Sequence, residues 1–157
     1  MTFSTLSKTA LIALMVGASF ASTTVSAQSG KQKRFAESQY RHDNMEHVKY
    51  ALANIVQILK GEASHEGHLP KLAAIMASSA SMAKATFEKD TRGMSGHTEA
   101  KDAIWENWAD FSSKMDTFEA DTAALAKVAE TGDMGQFGAA FQKATGNCKS
   151  CHDKYKD

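Results

Sequence analysis

A regular stripe of mostly apolar side chains runs through the second half of the chain. Its members are Ile104, Trp108, Phe111, Met115, Phe118, Thr122 and Leu125, which follow one another at steps of four and three. Residues at these steps share one side of an α-helix, and an unbroken stripe is typical of a seam between helices in a bundle. The sequence therefore predicts a long helix here, with Thr98 as its N-cap, that buries this face against other helices.

Three further segments carry the same periodicity. The first is predicted from about Phe35 to Leu59, with Gly61 placed to end it, and the second from Pro70 to about Glu88. The last follows a tight turn and has Asp133 as its expected cap. The residues predicted to face the core are Met45, Val48, Leu52, Ile55, Val56 and Leu59, then Leu72, Ile75, Met76, Met82, Ala83 and Phe87, and finally Met134, Phe137, Phe141, Ala144, Cys148, Cys151 and Tyr155.

These helices with short connections predict an all-α fold, an antiparallel up-down-up-down four-helix bundle. A single proline among 157 residues leaves few helix breaks. Basic and acidic side chains are equal in number, 18 of each, so no basic excess points to nucleic acid. Cofactors in such bundles lie between facing helices, which is where a binding site is expected.

The N-terminal residues 1–27 have the features of a secretory signal peptide. Lys8 is their only charge, residues 9–21 are apolar or small, and Val25-Ser26-Ala27 gives a small-x-small cleavage pattern. The alternative, a membrane anchor, is disfavoured because spanning a bilayer takes about 20 apolar residues. We expect cleavage after Ala27, a mature single domain of residues 28–157 without a membrane span, and a bacterial periplasmic location.

Both cysteines of the chain lie in Cys148-Lys149-Ser150-Cys151-His152, close to the C-terminus. Two thiols separated by two residues and followed by histidine form the attachment sequence of c-type haem. On a helix, Cys148 and His152 differ by only about 40° around the axis, and Cys151 shares that face. The thiols can therefore reach the two vinyl groups of one porphyrin while the imidazole faces its iron.

Other interpretations of this motif explain less. A thioredoxin-like dithiol expects a preceding strand and a βαβ context, whereas the upstream sequence is helical. A structural zinc site needs four ligands, and the chain has no second cysteine pair. A disulfide across two residues would leave His152 without a role. The motif therefore favours one covalently attached haem c.

Taken together, these features resemble the cytochrome c′ family, the class II c-type cytochromes. Its members are exported four-helix bundles with the haem motif at the C-terminal end of the last helix. The first helix carries an Arg-x-x-x-(Leu or Met) element, here Arg41 to Met45, and the third often opens with Ile-Trp, here Ile104-Trp105. The resemblance covers roughly residues 36–156. The chain differs at Lys156, where the family often has arginine.

The resemblance implies a role for each site residue. Cys148 and Cys151 would form the thioethers, and His152 would be the proximal iron ligand. Met45 would lie on the distal side of the haem, as a sixth iron ligand in low-spin relatives or a non-bonding shield in high-spin ones; the alternative is a core filler. Arg41 would pair with a haem propionate, the alternative being a solvated surface charge.

Besides a purely structural or storage role for the haem, two functions are open to such a protein. The first is transfer of single electrons between redox partner proteins, with no enzymatic activity, since no catalytic base or nucleophile is recognisable around the motif. The second is binding of a diatomic gas, nitric oxide or carbon monoxide, which needs an open iron position beside Met45. Members of the family often form a homodimer through the first two helices. In this chain the outward faces of those helices are mostly polar, with no obvious apolar patch, so the sequence fits a monomer as well as a dimer.

Overall fold

The computed structural model of this protein describes residues 32–157, so the signal peptide predicted for residues 1–27 lies outside the described residues. Five α-helices form in the order α1 (Ala36–Leu59), α2 (Leu69–Ala83), α3 (Ala103–Glu106), α4 (Trp108–Ala129) and α5 (Met134–Tyr155). The four long helices form the predicted bundle, and α3 is a single turn before α4. Within residues 32–157 the extended backbone forms only isolated bridges, and no helix is long and apolar enough to cross a membrane.

The long helices pack in chain order around the bundle. The backbones of α1 and α2, of α2 and α4, and of α4 and α5 approach closely, whereas α1 and α5 approach one another much less. The first and last helices are therefore less closely packed than the other helices that are neighbours around the bundle.

Local chemistry explains the turn between α4 and α5. Gly132 has a positive φ of 71°, which glycine adopts without strain. The Asp133 carboxylate then accepts a hydrogen bond from the backbone N–H of Gln136 at 2.9 Å, and the Gln136 side chain donates to the same carboxylate at 2.7 Å. The predicted cap at Asp133 is confirmed.

The prediction for the second helix was wrong in its end and in part of its buried face. The α-helix stops at Ala83 and tightens into a 3₁₀ turn over Lys84–Phe87, where the Thr86 hydroxyl donates to the Ala83 carbonyl. Ile75 and Met82, predicted to be buried, are 44% and 43% exposed. The buried positions are Leu69, Ala73, Met76, Ser79, Ala80 and Ala83.

Close helix packing explains why small residues occupy that face. The Asn44 side-chain amide of α1 donates to the Ser79 carbonyl of α2 at 2.9 Å. Beside Asn44 the helices are close enough to favour alanine and serine, and Ile75 and Met82 point outwards. Leu59, at the end of α1, and Met134, at the start of α5, are likewise 39% and 46% exposed and not buried as predicted.

The third predicted helix begins later than expected, because Thr98 does not cap it. The Thr98 hydroxyl accepts from the Ala100 N–H at 3.1 Å, within extended backbone. This segment bonds to the end of the chain, through the Lys101 N–H to the Tyr155 carbonyl and the Asp157 N–H to the Glu99 carbonyl. Those bonds hold it out of a helix.

The helix predicted from residue 98 is also interrupted at Asn107. Its φ of −125° and ψ of 43° separate α3 from α4. The stripe from Ile104 to Leu125 nevertheless lies inside the bundle, with all of its members buried or partly buried.

Candidate haem site

A cavity of about 370 Å³ opens between α1, α4 and α5 at one end of the bundle. The described residues that line it include the whole predicted site. They are Arg41, His42, Met45, Val48 and Leu52 on α1, Ile104 on α3, Phe111, Lys114, Met115 and Phe118 on α4, and Asn147, Cys148, Cys151, His152 and Tyr155 on α5, with Arg34, Thr98, Glu99, Ala100 and Lys156 among those at the rim. Its walls are mostly apolar, as ligand cavities usually are.

The attachment motif forms one wall of this cavity. Cys148, Cys151 and His152 all lie on α5 and all line the cavity. Both cysteines are free and half-buried, and burial raises the pKa of each thiol. Two free thiols facing an apolar cavity are the donors that covalent haem attachment requires.

His152 stands at the edge of the cavity, where it remains accessible to solvent. Partial desolvation, with the neighbouring Lys156 charge, lowers the pKa of its imidazole. The neutral imidazole is the form that binds a metal. The donor set of this wall therefore fits a haem c, whose iron would be held by His152.

Arg41 is buried beside the cavity and is not a solvated surface charge, since only 5% of it is exposed. Its Nε donates to the Glu37 carbonyl at 3.1 Å and one terminal nitrogen donates to the Thr91 hydroxyl at 2.8 Å. The other terminal nitrogen, Nη1, is buried without a hydrogen-bond partner among the described residues. A buried donor without a partner is costly, and a haem propionate is a suitable acceptor.

Three aromatic rings surround the Arg41 guanidinium. Its carbon lies 4.9 Å from the centre of the Phe87 ring, 5.6 Å from Trp105 and 5.9 Å from Phe35. These rings stabilise a cation that burial otherwise disfavours, although burial still lowers the Arg41 pKa. The sequence contains no local signal for this cage, because its members come from three separate segments.

Met45 lies on α1, across the cavity from the motif on α5, and is partly buried. His42 on the same helix also lines the cavity, whereas His47 is exposed. The structure thus brings Met45 and His152 to one cavity from two helices. Ligation of iron by the Met45 sulfur stays a prediction.

Ion pairs that sequence reasoning missed close the cavity rim. The Glu99 carboxylate lies 3.5 Å from Arg34 and 3.5 Å from Lys156. These ion pairs form because the segment near residue 99 contacts both ends of the domain. No spacing pattern in the sequence predicts such contacts. Lys156 is thereby held at the rim by Glu99.

This fold and this donor set define a four-helix haem c protein. The family model described as Cytochrome C′ matches residues 36–156, and the chain belongs to this family. Proteins of the family carry covalently bound haem c.

Individual relatives show the same likeness. The cytochrome c′ of Rhodospirillum rubrum is 31% identical over 134 residues, covering 85% of this chain and 89% of that protein. A shorter match to the Rubrivivax gelatinosus protein is 44% identical over 63 residues, 40% of this chain and 49% of that one. The solved Shewanella frigidimarina structure has a TM-score of 0.71 and 30% identity, covering 77% of this chain and 94% of its own.

Proposed function

We propose that this protein carries single electrons in the periplasm and is not an enzyme. The observation that carries the proposal is the placement of Met45 and His152 in one apolar cavity. A bound haem would supply an iron that cycles between ferrous and ferric states. The residues around it would keep that iron in a largely apolar, partly shielded environment, which tunes its reduction potential.

The chain's own residues would bind and orient the group. Cys148 and Cys151 would attach it to α5, and His152 would ligate it from the same helix. The unpartnered Nη1 of Arg41 would donate to a propionate, so the buried guanidinium and the carboxylate would satisfy each other. Met45 would provide a soft thioether on the α1 side, a competent sixth ligand.

Gas binding is the second candidate function, and one feature of the cavity favours it. The α1 wall one and two turns after Met45 includes Val48 and Leu52, whose apolar side chains offer no ligand to iron. A cytochrome c′ from Alcaligenes xylosoxidans with this fold, 24% identical with a TM-score of 0.68, has been solved as a nitric oxide complex of a variant. If the Met45 sulfur stays off the iron, nitric oxide or carbon monoxide would bind there.

Spectra of the ferric and ferrous protein, alone and with carbon monoxide, separate the two functions. The electron carrier predicts low-spin bands in both states that turn high-spin in Met45→Leu, with gas uptake only in the variant. Met115→Leu is the matched control, since Met115 lines the same cavity from α4, and it should leave the wild-type bands. High-spin bands and ready gas uptake in the wild type would favour the gas-binding function.

A homodimer is the assembly we propose. Tyr40 on α1 is 58% exposed, and Ile75 and Met82 on α2 are 44% and 43% exposed. Tyr40 and Met82 line one shallow groove between these helices, and exposed apolar side chains at one place favour association. Sedimentation of the wild type should show a dimer that Met82→Lys weakens; a monomer at all concentrations would contradict this.

A further inference from the structure

Two aspartates on α4 lie on the side of that helix that faces α5. Asp110 and Asp121 are eleven residues apart, which places them about 16 Å apart along the axis and within about 20° of each other around it. Each carboxylate accepts a hydrogen bond from a side chain of α5. The α5 partners are Asn147 and Tyr155, the residue just before Cys148 and a residue three places after His152.

The first contact joins Asp121 to Asn147. The Asp121 side chain is only 6% exposed, and it accepts from the Asn147 amide at 3.1 Å. Its other partner is the Lys143 ammonium at 2.9 Å, on a side chain that is 71% exposed. Burying a carboxylate costs free energy, and partners such as these offset that cost. Asn147 itself lines the cavity, so this bond fixes a cavity residue next to the first thiol.

The second contact joins Asp110 to Tyr155. The Tyr155 hydroxyl donates to the Asp110 carboxylate, which also pairs with Lys154 at 2.9 Å. The Tyr155 ring is buried and meets Phe111 of α4 edge-on, at 5.3 Å between ring centres. Cys151 packs against the same cluster. This bond therefore fixes the turn of α5 that carries the second thiol.

We propose that Asp121 and Asp110 are positioning residues for haem attachment. Their bonds to Asn147 and Tyr155, hereafter the two carboxylate clamps, hold α5 at both ends of the attachment motif. They set the rotation of the helix so that the Cys148 and Cys151 thiols face the cavity together. The two clamps would act in the same way whether the bound haem carries electrons or binds gas.

Each clamp acts on a different thiol, so the two can be tested separately. Loosening the Asp121–Asn147 clamp moves the turn next to Cys148, and loosening the Asp110–Tyr155 clamp moves the turn of Cys151. Because a single hydrogen bond makes a modest net contribution, we expect each loss to raise the fraction of polypeptide with one unattached thiol about fivefold. The free thiol should be at the cysteine nearer the lost clamp.

The test uses exported, haem-loaded protein with Asn147→Ala, Tyr155→Phe and both changes together. Denatured protein is alkylated, its mass is measured, and cleavage after Lys149 assigns the alkylated cysteine. We expect alkylation at Cys148 in Asn147→Ala, at Cys151 in Tyr155→Phe, and more of both in the double variant. Asp121→Asn, which keeps an acceptor for Asn147, should stay close to wild type, whereas Asp121→Leu should not.

Two controls separate positioning from general stability. Lys143→Gln removes an exposed partner of Asp121 but keeps the clamp, so attachment should remain complete. Ile55→Val lowers stability from the other half of the bundle, where Ile55 is fully buried, and should leave both thiols attached. Free thiols in Ile55→Val at a matched melting temperature, or complete attachment in the double clamp variant, would overturn the proposal.

Discussion

The two ends of this bundle are built from the same four helices but are packed differently. At the end near the turns at 60–68 and 130–133, side chains fill the space between all four. The buried residues of that cluster are Val48, Ala51, Ile55, Ile58, Leu69, Ala73, Met76, Leu125, Ala129, Phe137 and Ala144. At the other end a smaller buried cluster of Ala83, Ile104, Phe111, Met115 and Tyr155 borders the cavity.

Polar groups surround the cavity at the second end. The aromatic cage around Arg41 holds α1 beside the cavity. The Glu99 ion pairs hold the segment that precedes α3, and the Tyr155–Asp110 bond holds α5. The filled end is stabilised mainly by apolar burial. One end of the bundle therefore supplies most of the stability, and the other supplies the binding site.

The largest expected effect comes from the filled end. Leu125 is fully buried, so Leu125→Ala should cost about 2–5 kcal/mol of unfolding free energy through lost contacts and a new cavity. Leu52 is only partly buried and lines the haem cavity, and Leu52→Ala should cost about 1 kcal/mol. Urea unfolding followed by circular dichroism measures both. Equal losses would show that the two ends are packed alike.

A smaller effect is expected from the open end. The Trp105 indole N–H donates to the Phe87 carbonyl at 2.9 Å and ties the segment after α2 to α3. Trp105→Phe keeps a ring beside Arg41 but loses this bond, which should lower stability by about 1 kcal/mol. It should also shift the haem absorption bands, whereas Leu125→Ala should not. Unchanged bands in Trp105→Phe would mean that the cage has no influence on the cavity.

The smallest effect lies at the turn of the filled end and depends on pH. Hydrogen bonds from the Gln136 backbone N–H and side chain lower the pKa of the Asp133 carboxyl. A carboxyl whose pKa is lower in the folded state adds stability above its unfolded pKa, about 3.9, and loses that contribution as pH falls through the folded value. Asparagine also caps helices but does not titrate here.

The measurement for this cap is the melting temperature of the wild type and of Asp133→Asn across the acid range. The advantage of the wild type should be constant at neutral pH and should shrink below about pH 3.9. A difference between the two proteins that does not change with pH would contradict a titrating cap.

The periodic parts of the sequence predicted the fold well because they act through burial. The stripe from Ile104 to Leu125, the cap at Asp133 and the haem motif on the last helix all lie where their spacing places them. The errors came from tertiary contacts: Ile75 and Met82 are displaced outwards by the close approach of α1 to α2. The start of the third helix moved because residues 99–101 bond to the end of the chain.

The candidate site was predictable only where its residues share one helix. The spacing of the motif identifies Cys148, Cys151 and His152 as candidates. The family resemblance adds Arg41 and Met45. The aromatic cage, the Glu99 pairs and the Asp121–Asn147 bond join distant segments. Such contacts have no period in the sequence, so only the folded chain shows them.

The most direct test of the account is covalent haem retention by the exported protein. Wild-type protein, denatured and stripped of loosely bound groups, should keep the mass and the stain of one haem on a denaturing gel. The Cys148→Ala, Cys151→Ala double variant should lose both, while Lys149→Ala, a change of the exposed residue between the thiols, should keep them. Haem retained by the double variant, or none on the wild type, would contradict the cavity at α5 as the site of covalent haem attachment.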